Sequence, residues 1–229
     1  GLSDSLVSGL SQAGEEARCV VITGSGRAFC AGADLAALAD DYAAGSPDLS
    51  GLIVNRFEPI VEALRICPVP TVAAMNGAAA GAGMGLALAC DLRIMAPDAF
   101  ITAAFVGIGL IPDTGSTWWL THHLGLSRAL EFVMSNRCMT ADEARELGIA
   151  HRVEEDVASA ALAWAGELAD GAIGAMVETR RLLHVAASSD LQTALAAENE
   201  AQGRLGMSAA HREGVAAFNE KRPPDYSNL

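Results

Sequence analysis

With 229 residues, 51% of them hydrophobic, and a mean hydropathy of +0.28, the chain can bury one sizeable core and falls outside the disordered class. A net charge of −13, without any cluster of Lys and Arg, argues against nucleic acid as a partner. The five cysteines (Cys19, Cys30, Cys67, Cys90, Cys138) are scattered and show no C-x-x-C pairing, which points to a reducing cytoplasm rather than a disulfide framework or a zinc site.

No apolar run reaches the roughly 18 residues of a spanning helix. The richest, "VAAMNGAAAGAGMGLALAC", is broken by glycines and an asparagine, so no membrane association is expected. The chain opens without a secretory-signal pattern, in keeping with a cytoplasmic setting.

In chain order, "CVVIT" is a β-branched run suited to a buried strand. It runs into "GSGRAFCAGADL". "SGLIVNRFEPIVEALRIC" has helical periodicity and stops before Pro68 and Pro70. "TVAAM" reads as a strand, a glycine-rich turn comes next, and "GLALAC" reads as a helix. "DLRIMA" and "FITAAFVG" are further short extended pieces. Strands alternating with helices predict a parallel α/β architecture. Thr140-Ala-Asp-Glu143 is a capping box, with Gly148 placed to end its helix, and "IAHRV" is a last strand. Helical patterns then cover Val157–Leu168, Ile173–Ala186 and Leu191–Leu205, with a short "REGVAAF" turn after them. The expected division is an α/β core over 1–168 and a helical region over 169–229.

The first loop raises a choice of chemistry. Gly24-Ser25-Gly26 leads to Phe29 where a dinucleotide fingerprint needs its third glycine, and a Walker-type Gly-Lys-Ser/Thr ending is absent. A tight strand-to-helix turn, with Asp34 as N-cap, remains open. A third reading comes from "AAMNGAAAGAGMGLALACDLRIMA", another strand that enters small residues opening a helix. Small side chains let a ligand approach the backbone, and a helix N-terminus leaves N–H donors unsatisfied. Two such loops can aim one N–H each at a single oxygen. In such an oxyanion hole one donor contributes on the order of 3–4 kcal/mol of transition-state stabilisation.

"GSGRAFCAGADL" and "NGAAAGAGMGLALACDLRIMA", together with "GIGLIPDTGSTWWL", "MTADEARELGIAHRV" and "REGVAAFNEKRPPDY", resemble the signature regions of the enoyl-CoA hydratase/isomerase (crotonase) superfamily. The resemblance covers nearly the whole chain. It implies a spiral of ββα repeats, a C-terminal helical trimerisation region with a homotrimer or a dimer of trimers, and an acyl-CoA thioester as substrate. No separate cofactor is implied, since coenzyme A is part of the substrate. The family's opening strands, and the loop that covers part of the CoA, are expected ahead of "GLSDSLVSGL", outside this sequence.

Carried over by motif, the resemblance makes the N–H of Ala33 one oxyanion donor and that of Ala82, in Gly81-Ala82-Gly83, the other. Alanine stands at 82 where the family usually has glycine, and it is tolerable there only with a negative φ or a Cβ turned from the ligand. An ordinary helix-opening alanine is the plainer alternative. Ala31, Asp34 and Leu35 would line the adenine and pantetheine path, and Gly81, Phe105 and Ile108 are further substrate-binding candidates. The family's two hydratase glutamates would fall at Gly85 and Phe105, neither of which can transfer a proton, so ordinary hydration is not expected. What remains is Asp113, after Ile111-Pro112, where isomerase-type members similar to this one keep an acid/base aspartate. Apolar neighbours Phe105, Ile108 and Ile111 would raise its pKa. The alternative role for Asp113 is to cap the helix "TGSTWWLTHHL".

The expected reaction is therefore double-bond isomerisation of an enoyl-CoA by a single carboxylate. A weakly active hydratase-like protein and a non-catalytic acyl-CoA-binding subunit are the alternatives. His122-His123 point to different helix faces and are not expected to hold a metal. Trp118-Trp119 are expected in the core or against the acyl pocket. Arg180-Arg181 and Lys221-Arg222 belong either to a solvated helix face or to CoA phosphates.

Overall fold

The computed structural model describes residues 2–45 and 47–229. Its core is a two-sheet spiral. One sheet runs β1 (Val20–Thr23), β3 (Thr71–Met75), β5 (Leu92–Met95) and β8 (Arg152–Val153), all parallel. The other runs β2 (Ala28–Cys30), β4 (Ala78–Ala80), β6 (Phe100–Thr102) and β7 (Cys138–Thr140), parallel except for the final antiparallel β6–β7 pair. Each turn of chain lays one strand in each sheet. β1 leads to β2, β3 to β4 and β5 to β6, so the sheets grow in step and their order matches the sequence. The central strand β3 is buried along its whole length, as expected of a parallel strand covered on both faces.

The helices are α1 (Leu2–Glu16), α2 (Ala39–Ala44), α3 (Leu49–Leu52), α4 (Glu58–Arg65), α5 (Ala82–Ala89), α6 (Ser116–Ser135), α7 (Ala141–Glu146), α8 (Val157–Ala169), α9 (Ile173–Ser188), α10 (Leu191–Leu205) and α11 (Ala209–Glu220). Between α3 and α4 the backbone widens into a π-turn over Ile53–Phe57, so the expected single helix is broken. Pro59, in the first turn of α4, has no N–H to offer the carbonyl four residues back, which accounts for the break. α6 is likewise two segments joined at Gly125, whose φ of 71° interrupts the helix. At α7, Thr140 Oγ1 accepts from Glu143 N (3.3 Å), but the Glu143 carboxylate turns to Arg137 (2.7 and 2.8 Å) instead of closing the capping box.

The core comprises Leu64, Val72, Met75, Met84, Leu88, Ile94, Met95, Ile101, Phe132 and Met139, all essentially inaccessible. Two further readings from sequence change. The short strands β2, β4 and β7 form a second sheet that periodicity did not reveal, because three residues carry too little alternation. "REGVAAF" is not a turn but part of the twelve-residue helix α11, whose N-terminus is capped by Ser208 Oγ accepting from His211 N (3.0 Å).

Candidate active site

The first loop divides into a structural half and an exposed half. Asn76, between β3 and β4, accepts from Gly24 N at Oδ1 (3.0 Å) and donates through Nδ2 to Gly26 O (2.9 Å). Gly24-Ser25-Gly26 is thus a turn pinned to the next spiral turn, with no phosphate cradle. Further along, Gly32 has φ +89°, and a Cβ there would lie 3.0 Å from Ala80 O and 3.2 Å from Ala82 N. That close approach places the Ala33 loop directly against the start of α5. A side chain on Gly83 would overlap the Cys30 carbonyl, so the same two segments are also locked together one residue later.

At α5 the positive φ (+55°) falls on Gly81, the residue before the helix, while Ala82 begins it with helical geometry. The alanine therefore meets the condition of a negative φ. Gly81 N donates to Thr102 O (3.2 Å), whereas Met84 N and Gly85 N return to Gly81 O (3.0 and 3.4 Å). No acceptor is found for Ala82 N among the described residues, as expected for the first turn of a helix. Phe105 stands beside this turn, with its Cζ 3.7 Å from where a Cβ on Gly81 would lie.

Asp113 is half-buried in the turn that leads into α6. Its carboxylate does not cap that helix, whose N-cap is Gly115 (φ +72°) without any side-chain bond. Instead the Asp113 carbonyl accepts from Ser116 N (2.8 Å), and Thr114 donates its hydroxyl to Asp113 Oδ1 (2.6 Å). Thr114 itself holds φ +54°, a conformation that costs a β-branched residue energy. Burial lifts the Asp113 carboxyl above its ordinary value, against hydrogen bonds from Thr114 and its own backbone that pull it down. The expected agents of that burial are only partly right. Phe105 is buried, but Ile108 is exposed and Ile111 is 80% exposed.

The turn packs on α5 opposite Gly85. A Cβ at position 85 would lie 2.7 Å from Thr114 O and 2.9 Å from Ser116 Oγ. Thr114 and Ser116, in the turn that carries Asp113, thus meet α5 one helical turn, about 5.4 Å, beyond its start. The start of α5 faces the Ala33 loop, and further along α5 packs against the turn that carries half-buried Asp113.

Of the other expected residues, Ala31, Asp34 and Leu35 lie on the exposed lip of the first loop, and Asp34 Oδ1 accepts from Ala36 N and Ala37 N (3.0 and 3.2 Å). His122 stacks on Trp118 (3.7 Å between ring centroids) while His123 turns inward, where burial and then Arg93 pull its pKa down to about 4. Trp119 is buried edge-on to Trp118. Arg180 is not on a solvated face. Its guanidinium reaches Asp91 (2.9 Å) and the carbonyls of Cys67 and Val69. Arg181 and Arg222 are engaged with Glu178 and with Glu213 and Glu220, respectively.

The sequence profile of the Enoyl-CoA hydratase/isomerase family matches residues 1–228. The chain belongs to that family. It is 43% identical over 224 residues to a Rhodobacter capsulatus protein named "Probable enoyl-CoA hydratase", covering 97% of this chain and 86% of that one. To the 1,2-epoxyphenylacetyl-CoA isomerase of Escherichia coli it is 39% identical over 213 residues, covering 92% and 81% of the two chains. The crystal structure of an enoyl-CoA hydratase from Polaromonas sp. JS666 superposes with a TM-score of 0.89 at 34% identity, covering 97% of this chain and 88% of that one. This is therefore a crotonase-family acyl-CoA enzyme with the crotonase two-sheet fold and C-terminal helices.

Proposed function

We propose that this crotonase-family enzyme is an enoyl-CoA isomerase. The Ala33 and Ala82 N–H groups hold the thioester oxygen, and Asp113 moves the proton. In a 3-enoyl-CoA, the Asp113 carboxylate takes a proton from carbon 2. The freed electron pair delocalises onto the thioester oxygen, where the two N–H donors stabilise the enolate. Protonated Asp113 then returns its proton to carbon 4, leaving the double bond between carbons 2 and 3. No atom is gained or lost. A carboxyl raised by burial is suited to both giving and taking that proton.

The observation that carries this reading is the packing at Gly85. A backbone that brings Thr114 O within 2.7 Å of a Cβ at 85 leaves no place there for a second acid/base side chain. Asp113 beside Thr114 is what remains. The similarity to the 1,2-epoxyphenylacetyl-CoA isomerase of E. coli supports isomerisation of a CoA thioester as the reaction class, whereas the Rhodobacter relative favours hydration as the second reading. The experiment is to supply a 3-enoyl-CoA and a 2-enoyl-CoA separately. Formation of the conjugated product from the first, abolished in Asp113→Asn, is expected. Hydration of the second at ordinary enzyme rates would overturn the reading. The same proposal includes a trimer or dimer of trimers built through the C-terminal helices, whose exposed Met207 and Phe218 fit burial against another copy.

A further inference from the structure

A cavity lies away from Ala33, Ala82 and Asp113. It is about 620 Å³ in volume and opens between α9 and the core, with Leu88, Arg93, Trp119, His123, Leu183 and His184 among its lining residues. That volume falls within the range of small-molecule sites, roughly 300–1,000 Å³. Arg93, on β5, is only 3% exposed. Its Nε donates to Ile149 O (2.6 Å), and its Nη1 to Cys90 O (2.6 Å) and Leu88 O (3.3 Å). These acceptors are neutral. Among the described residues no carboxylate forms an ion pair with Arg93, and Nη2 has no protein acceptor. The sole acidic residue in the cavity wall, Asp91, is committed elsewhere: its Oδ2 takes Arg180 Nη1 (2.9 Å), Thr71 N (2.9 Å) and Thr71 Oγ1 (3.0 Å).

A buried charge is costly unless an opposite charge compensates it. Asp91 pairs directly with Arg180 and acts on Arg93 only from a distance, so the wall keeps one guanidinium without an ion pair beside two histidines. The remainder is apolar, contributed by Leu88, Met176 and Leu183. We propose that this cavity binds a small carboxylate carrying a short apolar tail, with the carboxylate on Arg93 and the tail between α9 and the core. Arg93 offers a carboxylate the N–H groups of Nη2, since Nε and Nη1 are held by backbone carbonyls. The tail replaces water along the apolar wall. Such a site takes a free carboxylic acid, since the acyl end of a CoA thioester has a neutral carbonyl and no anionic oxygen to place beside the apolar wall.

The test titrates the full chain with sodium hexanoate, hexanamide and inorganic phosphate, tracking the histidine ring resonances by NMR. Hexanoate is expected to shift His123 and His184 saturably, with hexanamide at least tenfold weaker because it brings no charge. Arg93→Gln is expected to weaken hexanoate at least tenfold. Because that change also removes carbonyl contacts, Leu183→Trp serves as a second variant. Leu183 is 65% exposed on α9, so an indole there fills the cavity without disturbing the core, and hexanoate binding should disappear. Equal binding of hexanamide would overturn the proposal, as would preferential binding of phosphate or displacement of hexanoate by an acyl-CoA. So would the absence of saturable shifts at His123 and His184, which is the outcome if a second copy of the chain covers the cavity.

Discussion

Helix α5 and the C-terminal helices α9 to α11 are both rich in alanine, yet they are held in opposite ways. In α5 all residues but Leu86 are buried, the helix carries no charge, and its glycines touch other backbone directly at Cys30 and Thr114. In α9 no residue is fully buried, and α10 and α11 bury one alanine each, Ala201 and Ala217. The tail carries ion pairs instead: Arg180 reaches Asp91 of the core, whereas Arg204 pairs with Glu178 and Glu200, and Arg222 with Glu213, within the tail itself. Phe218 and Met207 stay 80% and 75% exposed. Composition therefore does not distinguish the helix that is a fixed platform from the helix that is a surface. The α5 region holds donor groups in place because neither neighbour can move without backbone overlap. Most of the tail's pairs are solvent-exposed, and exposed pairs contribute little.

The largest expected difference between the regions is in activity. Asp113→Asn should lower double-bond transfer by about 10²- to 10⁴-fold, the usual contribution of a general acid/base. Thermal stability should hardly change, because among the described residues the carboxylate's one side-chain hydrogen bond is from Thr114. Steady-state rates on a 3-enoyl-CoA, alongside a melting curve, check both halves. An unchanged rate would remove Asp113 from the mechanism.

Stability should divide the regions next. Leu64→Ala beneath the spiral, at a residue 1% exposed, is expected to cost about 2–5 kcal/mol by urea unfolding. Phe218→Ser in α11 should change monomer stability by no more than about 0.5 kcal/mol, as surface substitutions usually do. If sedimentation shows that the same change splits an oligomer, the exposed tail is an assembly surface. If neither stability nor assembly changes, the proposed trimer does not use Phe218.

A pH series gives the smaller effect. His123 has a folded pKa of about 4 against an ordinary value of 6.5, lowered by burial and by Arg93, His151, His122 and His184. The unfolded chain binds the proton more tightly, so between pH 6.5 and 4 stability should fall as pH falls and be fully regained above 6.5. His123→Phe should flatten that slope. For catalysis the sign comes from Asp113: its raised carboxyl must be ionised to accept a proton, so the acidic limb of the rate should lie above the ordinary carboxylate pKa of 3.8. A limb at or below that value would contradict the assigned base.

Much of the fold is legible in residue order alone. The strands "VVIT", "TVAAM" and "LRIM", the helix over Leu191–Leu205 and the ending of α7 at Gly148 (φ +76°) stem from β-branched runs, capping residues and glycine placement. Those signals are local, and local energetics decide them. The interruption over Ile53–Phe57 is also written locally, in Pro59, but periodicity alone does not show where the ladder widens. The strands β2 and β4 could not be read, since their stability comes from neighbours about 50 residues away in sequence. In the site, the motif pointed to Ala33, Ala82 and Asp113, but whether Ala82 could take its place depended on Gly81 absorbing the positive φ.

Residue types and short spacings were thus enough for the family, the order of most elements and the identity of the candidate groups. It took the assembled fold to decide that Gly24 and Gly26 serve a turn held by Asn76, and that Gly32 brings the Ala33 loop against Ala82. The fold also decided that Asp113 leaves its helix uncapped and stays partly desolvated, and that Arg93 is buried beside a cavity without a carboxylate partner among the described residues. Each of these depends on the approach of segments far apart in the chain. Packing distance sets desolvation and access, and residue spacing along the chain does not encode that distance.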